Sequence, residues 1–246
     1  MCEYGLQLYS VRDITEKNLL DAIRKVASFG YKGMEFAGFF GNSAEDVKKC
    51  MDECGVSAWG THTGTDQLTE DKLADTIAYH KAIGCKMCIV PGADFSTLEA
   101  LKNLADIFAK AKPEMDKNGI TLAYHNHDAE FLPNKDGIIA HDWLRDNTDI
   151  SFEIDTFWAF FAGLDPLAKL EELGDRVVAI HLKDGIRENG NYDEGRPLGQ
   201  GHAPVKAVRD YALARKLPIV VESESLTPDG PTEVKTCIDY LKSLEA

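Results

Sequence analysis

The chain has 246 residues, of which 44% are hydrophobic and 28% charged, an ordinary composition for a globular protein. Its 41 acidic residues against 27 basic ones leave a formal charge of −14, a field that repels phosphate backbones and anionic lipid, so neither nucleic acid nor a membrane is expected as a partner. No apolar run of about eighteen residues and no basic-then-apolar leader follows Met1, so a cytoplasmic protein is expected, with its six cysteines read as free thiols.

In chain order, short apolar segments rich in strand formers alternate with longer segments of helical period. A first strand, Tyr4–Tyr9, precedes a helix over Glu16–Ser28, where Leu19, Leu20, Ala22, Ile23, Val26 and Ala27 form one broad stripe. Strand Gly33–Ala37 leads to helix Ser43–Glu53, strand Ser57–Thr61 to helix Glu70–Ile83, and strand Met87–Pro91 to helix Ser96–Lys117. The fifth strand, Ile120–His125, is followed by a weakly periodic helix over Gly137–Arg145. Strands Ile150–Asp155, Val177–Leu182 and Pro218–Ser223 complete the set, with helices at Asp165–Leu173, Val205–Lys216 and Thr232–Leu244.

Gly30, Gly55, Gly84, Gly119 and Gly174 follow helical runs directly, where a left-handed residue closes a helix at little cost, so helix-to-strand turns are short. The strand-to-helix connections, such as Gly38–Asn42, Asn126–Lys135 and Lys183–Pro204, are longer and carry polar and aromatic residues. Eight such units use up the chain and match the roughly 250 residues of one (β/α)₈ TIM barrel, whose site lies on the loops after the strands. The fold class expected is therefore α/β, with residues 1–246 forming a single domain. No G-x-G-x-x-G follows the first strand, where Tyr9-Ser-Val-Arg-Asp13 stands instead. Cys85 and Cys88 have CxxC spacing but open a buried strand, on which residues three apart face opposite ways, so they read as core thiols; Cys50 and Cys54 read likewise.

Side chains able to bind a metal recur at the carboxyl ends of separate strands: Glu35, His62, His125, Asp155, His181 and Glu222. In a closed barrel these ends converge on one axis. In Ser151-Phe-Glu-Ile-Asp155, Phe152 and Ile154 alternate with Ser151, Glu153 and Asp155, so one face carries the carboxylates. A charged group at the tip of an apolar strand is costly unless a cation compensates, and a mixed carboxylate and imidazole shell suits divalent manganese, magnesium, cobalt or zinc. Such an ion holds a hydroxy-ketone through two oxygens and makes the neighbouring carbon acid easier to deprotonate, with flanking carboxylates moving the proton.

The segments Gly5-Leu-Gln-Leu-Tyr-Ser, Gly33-Met-Glu-Phe, Ala123-Tyr-His-Asn-His127, Phe152-Glu-Ile-Asp155, Ala179-Ile-His-Leu-Lys-Asp184, Leu198-Gly-Gln-Gly201 and Val220-Val-Glu-Ser223 resemble those of the sugar phosphate isomerase/epimerase family of xylose isomerase-like TIM barrels. The resemblance runs from Gly5 to Leu244 and implies that Asp155, His181 and Glu222 are metal ligands, with Glu222 also an acid/base. The epimerases of the family carry a ligand Glu at the end of strand five, where this chain reads Tyr124-His-Asn-His-Asp-Ala-Glu130. Either His125 takes that place as ligand, or Glu130 reaches back from the loop as ligand and second base. This strand five also resembles branches that act on 3-keto glycosides or inososes by proton removal and elimination.

His62, Glu35, His127, Lys183 and Trp158 are expected as substrate contacts, while His80 and His141 read as structural. His62 sits between Gly60 and Gly64, which allow close approach of a ligand, and the aromatic run Phe157, Trp158, Phe160 and Phe161 reads as core or as a wall for a sugar ring. The expected activity is a metal-dependent isomerase or epimerase of a small keto sugar or cyclitol, with a lyase or dehydratase at the same site as the alternative. A repair endonuclease of the same barrel fits neither the charge nor the seven histidines. A carbohydrate is the expected ligand, unphosphorylated because the last two strand-end loops offer only Lys183, Arg187 and Arg196 among many acids, and the family resemblance implies a homo-oligomer.

Overall fold

In a computed structural model, which describes residues 2–188 and 191–245, eight parallel strands close into a barrel in the order β1-β10-β7-β6-β5-β4-β3-β2. They are β1 (Gly5–Gln7), β2 (Gly33–Phe36), β3 (Ser57–His62), β4 (Met87–Val90), β5 (Thr121–His125), β6 (Ser151–Asp155), β7 (Val177–Leu182) and β10 (Ile219–Val221). The helices are α1 (Arg12–Thr15), α2 (Leu19–Phe29), α3 (Ala44–Cys54), α4 (Leu73–Ile83), α5 (Leu98–Lys117), α6 (Ala140–Asn147), α7 (Thr156–Phe161), α8 (Pro166–Leu173), α9 (Val205–Arg215) and α10 (Gly230–Ser243). The α/β barrel expected from the alternation is the one observed. Among the described residues, no helix is long and apolar enough to cross a membrane.

Strand periodicity divides the residues between two compartments. Leu6, Phe36, Leu122, Tyr124, Phe152, Ile154, Ile180 and Val221 are buried between the strands and the helices, and this layer is the main apolar core. The alternate positions point to the barrel axis. At its amino end the axis is filled by Trp59: a Cβ on Gly33 would lie 2.0 Å from its Cδ2 and one on Gly5 2.7 Å from its Cε3. Those two glycines leave room for the indole.

Local hydrogen bonding explains where the elements depart from the periodicity. β1 is shorter than expected because the Gln7 side-chain oxygen accepts the Tyr9 N–H (3.0 Å), turning Leu8–Val11 into a 3-10 helix. The first long helix then starts at Leu19, where Asn18 accepts from Asp21 N. The aromatic run after β6 forms α7, capped by Asp155 through Trp158 N (2.9 Å). The stretch Lys183–Pro204, read as an open loop, contains an antiparallel hairpin of β8 (Asp184–Glu188) and β9 (Asn191–Arg196). Asp184 secures the return of that segment to the barrel, its carboxylate accepting the N–H groups of Gly185, Gly199, Gly201 and Ala203 at 2.9–3.1 Å. A Cβ on Gly201 would come within 2.2 Å of Asp184 Oδ1, which accounts for the glycine in Leu198-Gly-Gln-Gly201.

The cysteines are all free, and Cys50, Cys85, Cys88 and Cys237 are buried; burial pushes the Cys88 thiol up to about 11, which suits packing rather than redox chemistry. His80 and His141 are both buried. His141, on α6, lies between the rings of Phe131 (4.7 Å) and Phe152 (4.9 Å), and neither ring nitrogen has a hydrogen-bond partner. Burial, assisted by Lys169, depresses it to about 3 from the 6.5 of a free imidazole. Between those values the unfolded chain binds a proton that the folded chain refuses, so stability falls as pH drops below 6.5, by up to about 1.4 kcal/mol per unit from this group. His141→Phe should remove that slope, and urea unfolding between pH 6.5 and pH 5, where most carboxylates are still ionised, is the measurement.

Candidate active site

Strand ends at the carboxyl mouth bring four titratable side chains into one buried group: His125 from β5, Asp155 at the end of β6, His181 from β7 and Glu222 just after β10. One ligand atom of each lies within 4.8 Å of the others. A second group, His62, His125, Glu153 and His181, shares two of these residues and extends deeper along the axis. Register places them side by side, since His125 pairs with Glu153 across β5–β6 and Asp155 with His181 across β6–β7.

The deeper carboxylates orient the imidazoles. His181 lies 3.3 Å from Glu222 through Nδ1 and 2.6 Å from Glu35 Oε1 through Nε2, so each ring nitrogen faces a carboxylate. Glu35 Oε1 also accepts from Gln7 Nε2 (2.8 Å) and lies 3.2 Å from His62 Nε2. Glu153 Oε2 lies within 3.2 Å of His62, His125 and His181. Neighbouring backbone is stitched as well: the Asn126 amide bonds both the N–H and the carbonyl of Asp155, and Thr156 donates to the His181 carbonyl (2.9 Å).

Burial raises the protonation of Asp155 to about 7, with Glu222 adding to it and Lys183 opposing, and raises Glu153 to about 7 with help from Glu35. Burial would raise Glu222 too, but Lys183 and His181 outweigh it and hold Glu222 at about 2. His62 moves to about 9 because Glu35 and Glu153 overcome the burial that disfavours its charge. His125 is held well below the usual imidazole range by burial and by the positive groups around it, chiefly His181 and His62, and so stays neutral.

This donor set fits a divalent ion. Asp155 Oδ2, Glu153 Oε1 and Glu35 Oε2 are buried without a hydrogen-bond partner, while Asp155 Oδ1 is spent on the α7 cap. Four buried carboxylates, Glu35, Glu153, Asp155 and Glu222, stand in this pocket against three cationic partners, His62, His181 and Lys183. The neutral imidazole of His125 and the carboxylates of Asp155 and Glu222 are groups that hard and borderline cations accept, and Glu35 behind His181 stands where a carboxylate would orient that imidazole toward an ion.

Several expected residues take other places. Glu130 is not drawn into the group: Tyr124, which packs toward Phe108 of α5 outside the barrel wall, donates to its Oε1 (3.0 Å), and His127 N–H donates to its Oε2 (3.1 Å). The reason is local, because residues 129–131 turn as a 3-10 helix that folds Glu130 back onto its own strand. Glu35, expected to touch substrate, is fully buried behind His181, and Gly60 makes room for it, since a Cβ there would lie 2.6 Å from Glu35 Oε2. Glu153 was noted only as sharing the face of Asp155, yet it joins three histidines; the alternation in β6 was the signal. His127, Trp158 and Lys183 gather at the mouth, with His127 5.0 Å from His125 and 5.9 Å from Trp158 between ring centroids, and Lys183 Nζ 4.4 Å above Trp158. Lys183 is ion-paired with Glu224 and lies 3.8 Å from Glu222.

A profile of the xylose isomerase-like TIM barrel family matches residues 23–244. The chain belongs to this family. Among curated relatives of this xylose isomerase-like barrel, the inosose dehydratase of Mesomycoplasma hyopneumoniae is 26% identical over 91% of the chain and 87% of its own length. That of Clostridium beijerinckii is 23% identical over 75% and 70%. A sugar phosphate isomerase/epimerase from Parabacteroides distasonis superposes with a TM-score of 0.81 at 26% identity, covering 97% of each chain. The relatives thus bear the names of dehydratases as well as of isomerases and epimerases.

If Glu35 orients His181, Glu35→Gln should weaken manganese or zinc binding by about 10- to 100-fold. Glu130→Gln, on the other side of the strand, should leave it within about twofold by the same reasoning. Competition titration against a metal indicator reads both, and equal losses in the two variants would refute the assignment.

Proposed function

We propose that the chain is a divalent-metal-dependent enzyme that removes the proton beside the carbonyl of a small polyhydroxylated ketone, a keto sugar or inosose, and expels the hydroxyl on the next carbon as water. The observation that carries the reading is at strand five. There His125 stands where a two-base epimerisation would need a carboxylate, and Glu130 is engaged by Tyr124 and His127. The names of the inosose dehydratases among the relatives support the same outcome.

His125, Asp155, His181 and Glu222 would hold manganese, magnesium, cobalt or zinc, which polarises the ketone and acidifies the adjacent C–H bond. The imidazole of His127, beside His125 and Trp158, takes that proton; its electron pair becomes the new double bond as the neighbouring C–O bond breaks, and the proton returns to the departing hydroxyl. Lys183 stays protonated because Glu222, Asp155 and Glu224 outweigh its burial, and its ammonium group steadies the negative charge that develops on the ketone oxygen. Trp158 forms an apolar wall for the ring between these two groups. Glu222, held at about 2, serves as an ionised ligand.

Epimerisation through the same first proton transfer is the second reading, favoured by the likeness to the Parabacteroides distasonis protein. In deuterium oxide an eliminating enzyme yields an unsaturated product, whereas an epimerase returns an intact sugar carrying solvent deuterium. Asp155→Ala and Glu222→Ala should lose bound metal, by elemental analysis, together with activity; wild-type turnover in either refutes the proposed centre. His127→Ala should retain metal and lose roughly 10²- to 10⁴-fold in kcat.

A further inference from the structure

Glu130 is buried beside the candidate site, and the proton transfers proposed above give it no task. Burying a carboxylate is costly unless its oxygens find donors. Both oxygens of Glu130 do, and the two donors differ in kind. Tyr124 donates its hydroxyl to Oε1 (3.0 Å), and the backbone N–H of His127 donates to Oε2 (3.1 Å).

Tyr124 is a fixed point. Its side chain is fully buried between strands and helices, 6.3 Å from Phe108 of α5 between ring centroids, and its backbone is in register with Val90 on one side and Phe152 on the other. The turn that carries Glu130 is held at its far end as well, where Phe131 packs on His141 of α6 (4.7 Å). Glu130 therefore joins a rigid part of the core to the backbone of His127.

His127 needs such a hold. Among the described residues neither of its ring nitrogens has a hydrogen-bond partner, which leaves both open to a ligand and neither fixing the ring. His125 and His181 differ, since carboxylates face their ring nitrogens. The His127 ring is placed by its neighbours His125 (5.0 Å) and Trp158 (5.9 Å) and by the backbone from which it projects. That backbone leaves the ladder after His125, the last residue of β5 in register with β6. Beyond it, side chains take over from the ladder: the Asn126 amide bonds the N–H and carbonyl of Asp155, and Glu130 takes the N–H of His127 itself. A carboxylate reaching back to the N–H three residues earlier is the contact that also closes the first turn of many helices, and it explains the His-x-x-Glu spacing.

We infer that Glu130 is a positioning residue, which couples the buried ring of Tyr124 to the backbone of His127 and so aims the His127 imidazole at the carbon that loses its proton. The inference rests on the function proposed above, because it takes His127 as the base.

The test follows proton abstraction from scyllo-inosose, a keto-cyclitol, by proton magnetic resonance in deuterium oxide, with the full chain loaded with manganese. This readout is common to elimination and epimerisation. Glu130→Ala, which empties the site, and Glu130→Leu, which fills it, should each lower kcat by about 10- to 100-fold, with KM and manganese affinity within about threefold of wild type. Glu130→Gln should restore kcat to within about fivefold, because its amide oxygen accepts from His127 and its NH₂ group donates to the Tyr124 oxygen. Tyr31→Phe removes a buried hydrogen bond to the Val234 carbonyl (2.8 Å) ahead of β2, and should lower stability in urea while leaving kcat unchanged. In the His127→Ala background, Glu130→Ala should change kcat by less than about twofold, since the residue through which it acts is gone.

The positioning role is overturned if Glu130→Ala and Glu130→Leu keep wild-type kcat, if Glu130→Gln is as slow as they are, or if the losses of Glu130→Ala and His127→Ala add in full. Loss of manganese binding in both Glu130→Ala and Glu130→Leu also overturns it, because Glu130 then supports the fold as a whole. The reading of the site fails in a different way: if the wild-type chain takes no proton from the ketone, or if His127→Ala keeps wild-type kcat, the proposed function falls and the inference with it.

Discussion

The structure turns on the burial of four carboxylates, Glu35, Glu153, Asp155 and Glu222, inside one closed ring of strands. Removing an ion from water costs several kcal/mol even after relaxation, so such a cluster persists only where positive partners stand at short range. His62, His181 and Lys183 supply them, and the strand register delivers each to within about 4 Å of a carboxylate. The balance is incomplete, with four carboxylates against these three cations, and a divalent ion is the simplest way to complete it.

The surrounding fold holds that cluster in place. Asp155 is at once a member of the group and the N-cap of α7, so the helix that presents Trp158 is anchored to the same carboxyl group that would bind metal. Asn126 and Thr156 tie the backbone of adjacent strand ends, and Asp184 gathers the segment after β7 with four N–H groups. Positions are thereby set by backbone bonds, and the side chains at the mouth inherit that precision.

Much of this was legible in the sequence. Eight alternating units led to the barrel, and the polar tips of apolar strands led to His125, Asp155, His181 and Glu222, because the two-residue period of a strand and the closure of a barrel are geometric rules. What was not legible depends on side-chain bonding across the chain. Glu130 turns back to Tyr124 through one short 3-10 helix, and no periodicity reports the direction of such a turn. Glu35 looked like a substrate contact because strand-end position does not reveal depth; its place behind His181 follows from Gly60, whose missing side chain leaves a niche for it. The hairpin within Lys183–Pro204 has few apolar residues and so carries no hydrophobic pattern to announce it.

The indole of Trp59, lodged against Gly5 and Gly33, occupies the amino end of the barrel axis. A side chain added at either glycine would run into that ring at under 3 Å, so any change of residue there has to move the indole first. The two ends of one barrel therefore differ in how freely they can be rebuilt, the packed amino end resisting substitution and the loops at the carboxyl end carrying the chemistry.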